Sequence, residues 1–246
     1  MTKFKKVISV VMVIAIALMM QSVAFAHETF LDAPTTGEVG AEVVVTVVRG
    51  HFDEGPDAGT YFEDLLAETT LPWGFKLVKP DGTKEDLTLT AKDDTYVVSF
   101  TPDAAGVYQV AYERDRGVRD YGYAIPTGFQ RILEEAKAYI VVGGDKAGLE
   151  NVEDAMIAIK LDDPAVASGQ VLFGGDPLAG ATVTMTTKDS WVKTATTDAE
   201  GKFSIDAPGA GAFMLKATYF DETPGTEGDQ EFIGVRPTTV VLFTAE

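Results

Sequence analysis

Short runs of β-branched residues, each closed by a Gly, Pro or Asp turn, recur along almost the whole chain and point to sheet rather than helix. Residues 42–48 (EVVVTVV) follow Gly37 and Gly40. Residues 73–78 lead into Lys79-Pro80-Asp81-Gly82, where Pro and Gly occupy favoured turn positions. Leu87 and Leu89 alternate with Thr beyond that turn and complete a hairpin. Residues 96–100 form another run; Thr101-Pro102-Asp103 to Gly106 then turns the chain into 107–112, and 138–142 precedes Gly143-Gly144. Three segments read differently. Residues 114–128 (RDRGVRDYGYAIPTG) look like a long charged loop, residues 130–137 offer a short helix on a weak periodic signal, and 57–70 holds room for another helical turn.

The composition shifts after Gly148. Residues 156–160 (MIAIK) alternate until Asp162-Asp163-Pro164 breaks them. A compact rhythm follows: residues 169–173, the turn GGDPLAG, residues 181–185, the turn TDAEGKF, then 213–219 and a last strand at 238–244. This spacing predicts a small Greek-key sandwich. The expected class is therefore all-β, with two immunoglobulin-like or Greek-key β-sandwich domains, residues 27–155 and 156–246.

Residues 1–26 read as a secretory signal peptide. Lys3, Lys5 and Lys6 form a basic start, residues 7–20 are an apolar run of 14, and Ala24-Phe25-Ala26 is an A-x-A cleavage site. The apolar run is short of the roughly 20 residues a spanning helix needs. Cleavage after Ala26 would leave a periplasmic or secreted chain that begins at His27 and does not insert in the membrane. There is no Cys, which removes disulfides, thiolate metal sites and a lipid-bearing Cys. The formal net charge is −18; losing three Lys and no acids with the signal leaves 17 basic residues against 38 acidic ones. Such a field repels nucleic acid and anionic membrane and favours cations.

Only two histidines occur, His27 and His51. A histidine at a free N-terminus is chemically special, because its α-amine and imidazole Nδ1 can chelate one ion. A second imidazole completes the three-nitrogen set called a histidine brace. The α-amine has a pKa near 7.7–8.0, so a metal displaces its proton at modest cost. Residues 27–31 (HETFL) alternate like a first strand; after the turn from Ala33-Pro34 to Gly40, the chain runs back through EVVVTVV and brings His51 to the same end. Gly50 lets the backbone approach closely or bulge there. Glu28, Asp53 and Glu54 are better read as surface carboxylates than as ligands, and Phe30 and Phe52 as packing residues. Met156, Met185 and Met214 are too scattered for a Met-rich Cu(I) site. Gly-x-Ser-x-Gly, a P-loop and His-Glu-x-x-His are all missing, so no enzyme is expected. A copper-dependent polysaccharide oxidase would need a flat aromatic surface, for which Trp73, Trp191, Tyr121 and Tyr123 are the candidates.

The opening HETFLDAP, followed by G-x-x-V-x-V-x-V-x-x-G-H-F over residues 40–52, resembles a family of exported proteins. That family is described as periplasmic components of nickel/cobalt uptake systems, and is otherwise catalogued as a domain of unknown function. The resemblance continues through KPDGTKEDLTL, FTPDAAGVYQVAYE and AKAYIVV, while the stretch from GQVLFGGDPLAG to GAFMLKA also resembles carboxypeptidase-regulatory-like or transthyretin-like sandwiches. The resemblance implies that His27 and His51 ligate Ni(II), Co(II) or, by analogy with copper-resistance proteins, Cu(II), and pass it to a membrane metal transporter. The family's usual Trp near the third or fourth mature position is Phe30 here. The competing reading is a non-catalytic adhesion or interaction protein of tandem immunoglobulin-like domains.

Overall fold

The computed structural model describes residues 27–56, 61–67, 70–92, 95–122, 126–151 and 155–245. The first half contains β1 (Glu28–Asp32), β2 (Thr36–Gly37), β3 (Val43–His51), β4 (Gly55–Pro56), α1 (Tyr61–Ala67), β5 (Trp73–Val78), β6 (Lys84–Leu87), β7 (Thr90–Lys92), β8 (Thr95–Phe100), β9 (Gly106–Asp120) and β10 (Phe129–Val142). The second contains β11 (Ile157–Leu161), β12 (Ser168–Phe173), β13 (Asp176–Pro177), β14 (Thr182–Thr187), β15 (Val192–Thr196), β16 (Lys202–Ser204), β17 (Gly211–Thr218), β18 (Gly225–Glu227), β19 (Gln230–Phe232) and β20 (Val235–Ala245). The class is all-β, as expected.

One nine-stranded sheet, ordered β15-β14-β17-β20-β10-β9-β5-β6 with β2 on β10, runs through the middle of the molecule. A sheet of β1-β3-β8-β7, with β4 on β3, packs against one face; β11-β12-β13, with β16 on β12, packs against the other. Alternate residues of a strand point to opposite faces, and β10 uses both. Ala136, Ala138, Ile140 and Val142 enter the first core, while Tyr139 enters the second. β20 does the same, with Val240 in the first core and Val241 and Phe243 in the second. A strand covered on both faces reads as a continuous apolar run, which is why AKAYIVV shows no polar alternation. The division at residue 155 separates most residues of the two cores, yet the hydrogen-bonded ladder crosses it where β10 pairs with β20 in parallel. The result is two β-sandwiches that share a middle sheet.

β3 buries Val43, Val45 and Val47 in the first core, each contributing roughly 1.5–3 kcal/mol. α1 falls inside the stretch read as a helical turn; its Phe62 and Leu65 sit three apart and face the same core. At the entry to β9, the backbone N–H groups of Asp103 and Ala104 donate to Tyr108 Oη at 3.2 and 3.1 Å, and that hydroxyl donates to Asp103 Oδ1 at 2.8 Å. A tyrosine bonding back to the chain a few residues upstream is a corner device of immunoglobulin-like sandwiches.

Two expectations are corrected. Residues 130–137 are not a helix but part of β10. The weak periodic signal gives way to the sheet, where the two carboxylates of the segment find partners. Glu134 accepts from Arg49 Nη1 at 3.2 Å and Arg116 Nη1 at 2.8 Å. The Glu135 carboxylate accepts from the backbone N–H of Met156 at 2.8 Å and Ile157 at 3.2 Å. Lys137 is buried, with its ammonium 5.6 Å from the centre of the Tyr139 ring. Likewise residues 114–120 are not loop: β9 continues to Asp120, which pairs with Phe129, and Asp115 forms an ion pair with Arg131 across the ladder.

Candidate metal centre

The pairing of β1 with β3 decides where the histidines lie. Glu28 is opposite Gly50 in an antiparallel register, so one further step along the ladder sets His27 beside His51. Their ring centroids are 4.7 Å apart with the planes tilted by 59°. His27 is exposed and His51 half-buried, at the open end of the sheet. β3 then folds back into β4, pairing His51 with Gly55 around the three-residue loop Phe52-Asp53-Glu54. Gly50 at φ 152° and Gly55 at φ 103° bracket this loop, and both conformations suit a residue without a Cβ.

The surroundings are contributed by both sandwiches. Phe52 is buried and meets Phe30 edge-on at 5.9 Å, as the sequence suggested for packing aromatics. The Lys188 ammonium lies 4.2 Å from the centre of the Phe52 ring. Asp53 Oδ2 accepts a hydrogen bond from Ser190 Oγ at 2.6 Å. Glu28, next to His27, is buried and paired with Lys216 Nζ at 2.6 Å. Two of the three nearby carboxylates are thus engaged with the second sandwich, and Glu54 is exposed. Sequence reading missed Lys188, Ser190 and Lys216, which lie more than 130 residues from their partners and carry no local signal.

Among the described residues no group of three or more His, Cys, Asp or Glu side chains gathers around one point. The nitrogen donors that the fold brings together are the two imidazoles, to which cleavage after Ala26 would add an α-amine. The donor set fits a borderline divalent ion, because imidazole and amine suit Ni(II), Co(II), Cu(II) and Zn(II). Two metal–nitrogen bonds of about 2.0–2.1 Å reach about 4 Å between nitrogens, so rings at this separation are within bridging range. Residues 1–26, the stretch read as a signal, lie outside the described residues, and no helix among those described is long and apolar enough to cross a membrane.

The aromatic candidates disperse. Trp73 packs against Phe75 at 6.4 Å and the first core, Trp191 stands exposed, and Tyr123 lies outside the described residues. A groove of about 570 Å³ between the central sheet and the start of β11 also went unread in the sequence; Trp73, Arg114, Leu133, Glu135 and Met156 line it.

The family catalogued as "Domain of unknown function (DUF4198)" matches residues 24–221. The chain belongs to this family. No curated protein matches it. Among solved structures, the crystal structure of Salmonella alpha-2-macroglobulin reacted with methylamine is similar at 13% identity and a TM-score of 0.26. The similarity covers 89% of this chain and 15% of that one. As a DUF4198 member, the chain places its two histidines within the matched region.

Proposed function

We propose that this DUF4198 protein is a non-catalytic, extracytoplasmic carrier of a divalent transition metal. In this reading His27 supplies its α-amine and Nδ1, His51 supplies the third nitrogen, and the ion is cargo for a membrane uptake system. The single observation that supports it is the pair of rings 4.7 Å apart at an open sheet edge, in a chain with no other histidine. The acidic field of the chain helps gather cations at low ionic strength. Three nitrogens with open positions bind the ion while leaving room for an acceptor to displace it. Nickel or cobalt fits the uptake reading; copper binds such ligands more tightly regardless of which ion is carried.

Calorimetry on the processed protein starting at His27 tests this. The parent should bind one Ni(II) or Cu(II) per chain, and His51→Ala should weaken binding at least about a hundredfold, equivalent to about 2.7 kcal/mol. Equal affinity in the variant would refute the assignment and leave an interaction module of joined sandwiches.

A further inference from the structure

We propose that the second sandwich is a positioning frame for the histidine pair, gripping the sequence neighbours of each histidine from across the molecule. The inference rests on the metal-carrier reading and extends it by giving the second sandwich a task. On the His27 side, Lys216 of β17 holds the buried Glu28 carboxylate at 2.6 Å. On the His51 side, the turn between β14 and β15 makes two contacts with the loop after His51: Lys188 over the Phe52 ring at 4.2 Å, and Ser190 Oγ to Asp53 Oδ2 at 2.6 Å. That turn is itself fixed. Thr187 N–H donates to the Trp191 carbonyl at 3.0 Å, Trp191 N–H to Thr187 Oγ1 at 2.9 Å, and Ser190 N–H to the Thr187 carbonyl at 3.2 Å.

Ser190 carries the inference. Its φ is 61°, and among the described residues it is the sole non-glycine with positive φ. Glycine is the default residue for that backbone, because a Cβ is crowded there. Local stability does not call for serine at this position, whereas its hydroxyl reaches the loop that carries His51. Groups that hold a metal ligand's neighbours in place tune affinity by fixing ligand orientation before the ion arrives. Ring placement at the exposed strand end is thereby set from outside the first sandwich.

The test uses the full processed chain starting at His27, with Cu(II) alone as probe. Three quantities are read: affinity by competition calorimetry, the Cu(II) paramagnetic resonance spectrum, and Tm. Ser190→Gly removes the hydroxyl while relaxing the backbone, so Tm should hold or rise while affinity falls about three- to tenfold, below the 10–100-fold range of partners bonded directly to a ligand. Its spectrum should broaden or shift. Lys188→Met, an exposed change that keeps an apolar stem over Phe52, should act in the same direction with Tm unchanged. Parent-like affinity and spectrum in both variants would overturn the proposal, as would an affinity loss that only follows a falling Tm under a parent-like spectrum. His51→Ala, measured in parallel, separates the two levels: if it too binds like the parent, the metal site itself is wrong, whereas lost binding there beside unaltered Ser190→Gly and Lys188→Met removes the frame alone.

Discussion

The charged middle of β9 and β10 and the histidine end of β1 and β3 treat their polar side chains in opposite ways. In the middle, Glu134 is shared between Arg49 and Arg116, Asp115 pairs with Arg131, and Glu135 holds the start of β11 by its backbone. The three carboxylates are largely enclosed, and each is matched to a specific partner in its own sheet or in the neighbouring layer. At the open end two imidazoles face one another at the solvent boundary while the adjacent carboxylates, Glu28 and Asp53, turn away to the second sandwich. Charges that hold strands and layers together are structural; two nitrogen bases collected at an open edge are, in the proposed function, the receptor for a cation.

Chemical unfolding of one variant from each region can break that comparison. Glu135→Ala strips the acceptor from the Met156 and Ile157 N–H groups and should cost about 1.5–3 kcal/mol, the range for hydrogen bonds to charged groups. His51→Ala, at the solvent boundary, should change stability by less than about 0.5 kcal/mol, in contrast to the large loss of metal affinity that the proposed function expects of it. A histidine variant that unfolds as readily as Glu135→Ala would mean the ring pair is a structural contact after all.

Acid sharpens the comparison at the entry to β9. The Tyr108 hydroxyl, then the Lys79 ammonium, hold the Asp103 carboxyl below its ordinary range. A carboxyl depressed in the folded chain stabilises fully above the unfolded pKa of about 3.9 and loses that contribution as pH falls through the lower folded value. The stability advantage of the parent over Asp103→Ala, followed by unfolding at a series of pH values, should therefore be constant above about pH 5 and shrink below pH 4. An advantage that persists undiminished into strong acid would contradict the assigned role of the carboxylate.

Much of the strand pattern was legible because β-branched runs and Pro/Gly turns are local signals. The meeting of His27 and His51 was legible for the same reason: HETFL and EVVVTVV are neighbours in sequence, and antiparallel return fixes their ends. The β10 segment from Gln130 to Lys137 was not, since its carboxylates Glu134 and Glu135 are satisfied by Arg49, Arg116 and the backbone at the start of β11, partners that no periodicity encodes. The long reach of β9 through RDRGVRD hid behind the same pairing. The sharing of one sheet by both sandwiches depends on the parallel pairing of β10 with β20, a contact spanning about a hundred residues. Lys188, Ser190 and Lys216 belong to that distant half, and only the fold shows that they lean on the histidine end.

The most direct measurement compares Cu(II) affinity of two chains that differ by one residue, the first starting at His27 and the second retaining Ala26 ahead of it. Both keep every side chain of the folded protein, and only the first has an amine and an imidazole on the same residue. The three-nitrogen site requires the chain that starts at His27 to bind at least about tenfold more tightly, about 1.4 kcal/mol. Equal affinity would show that binding does not require the amine and the imidazole to sit on the same residue, and that the brace does not exist.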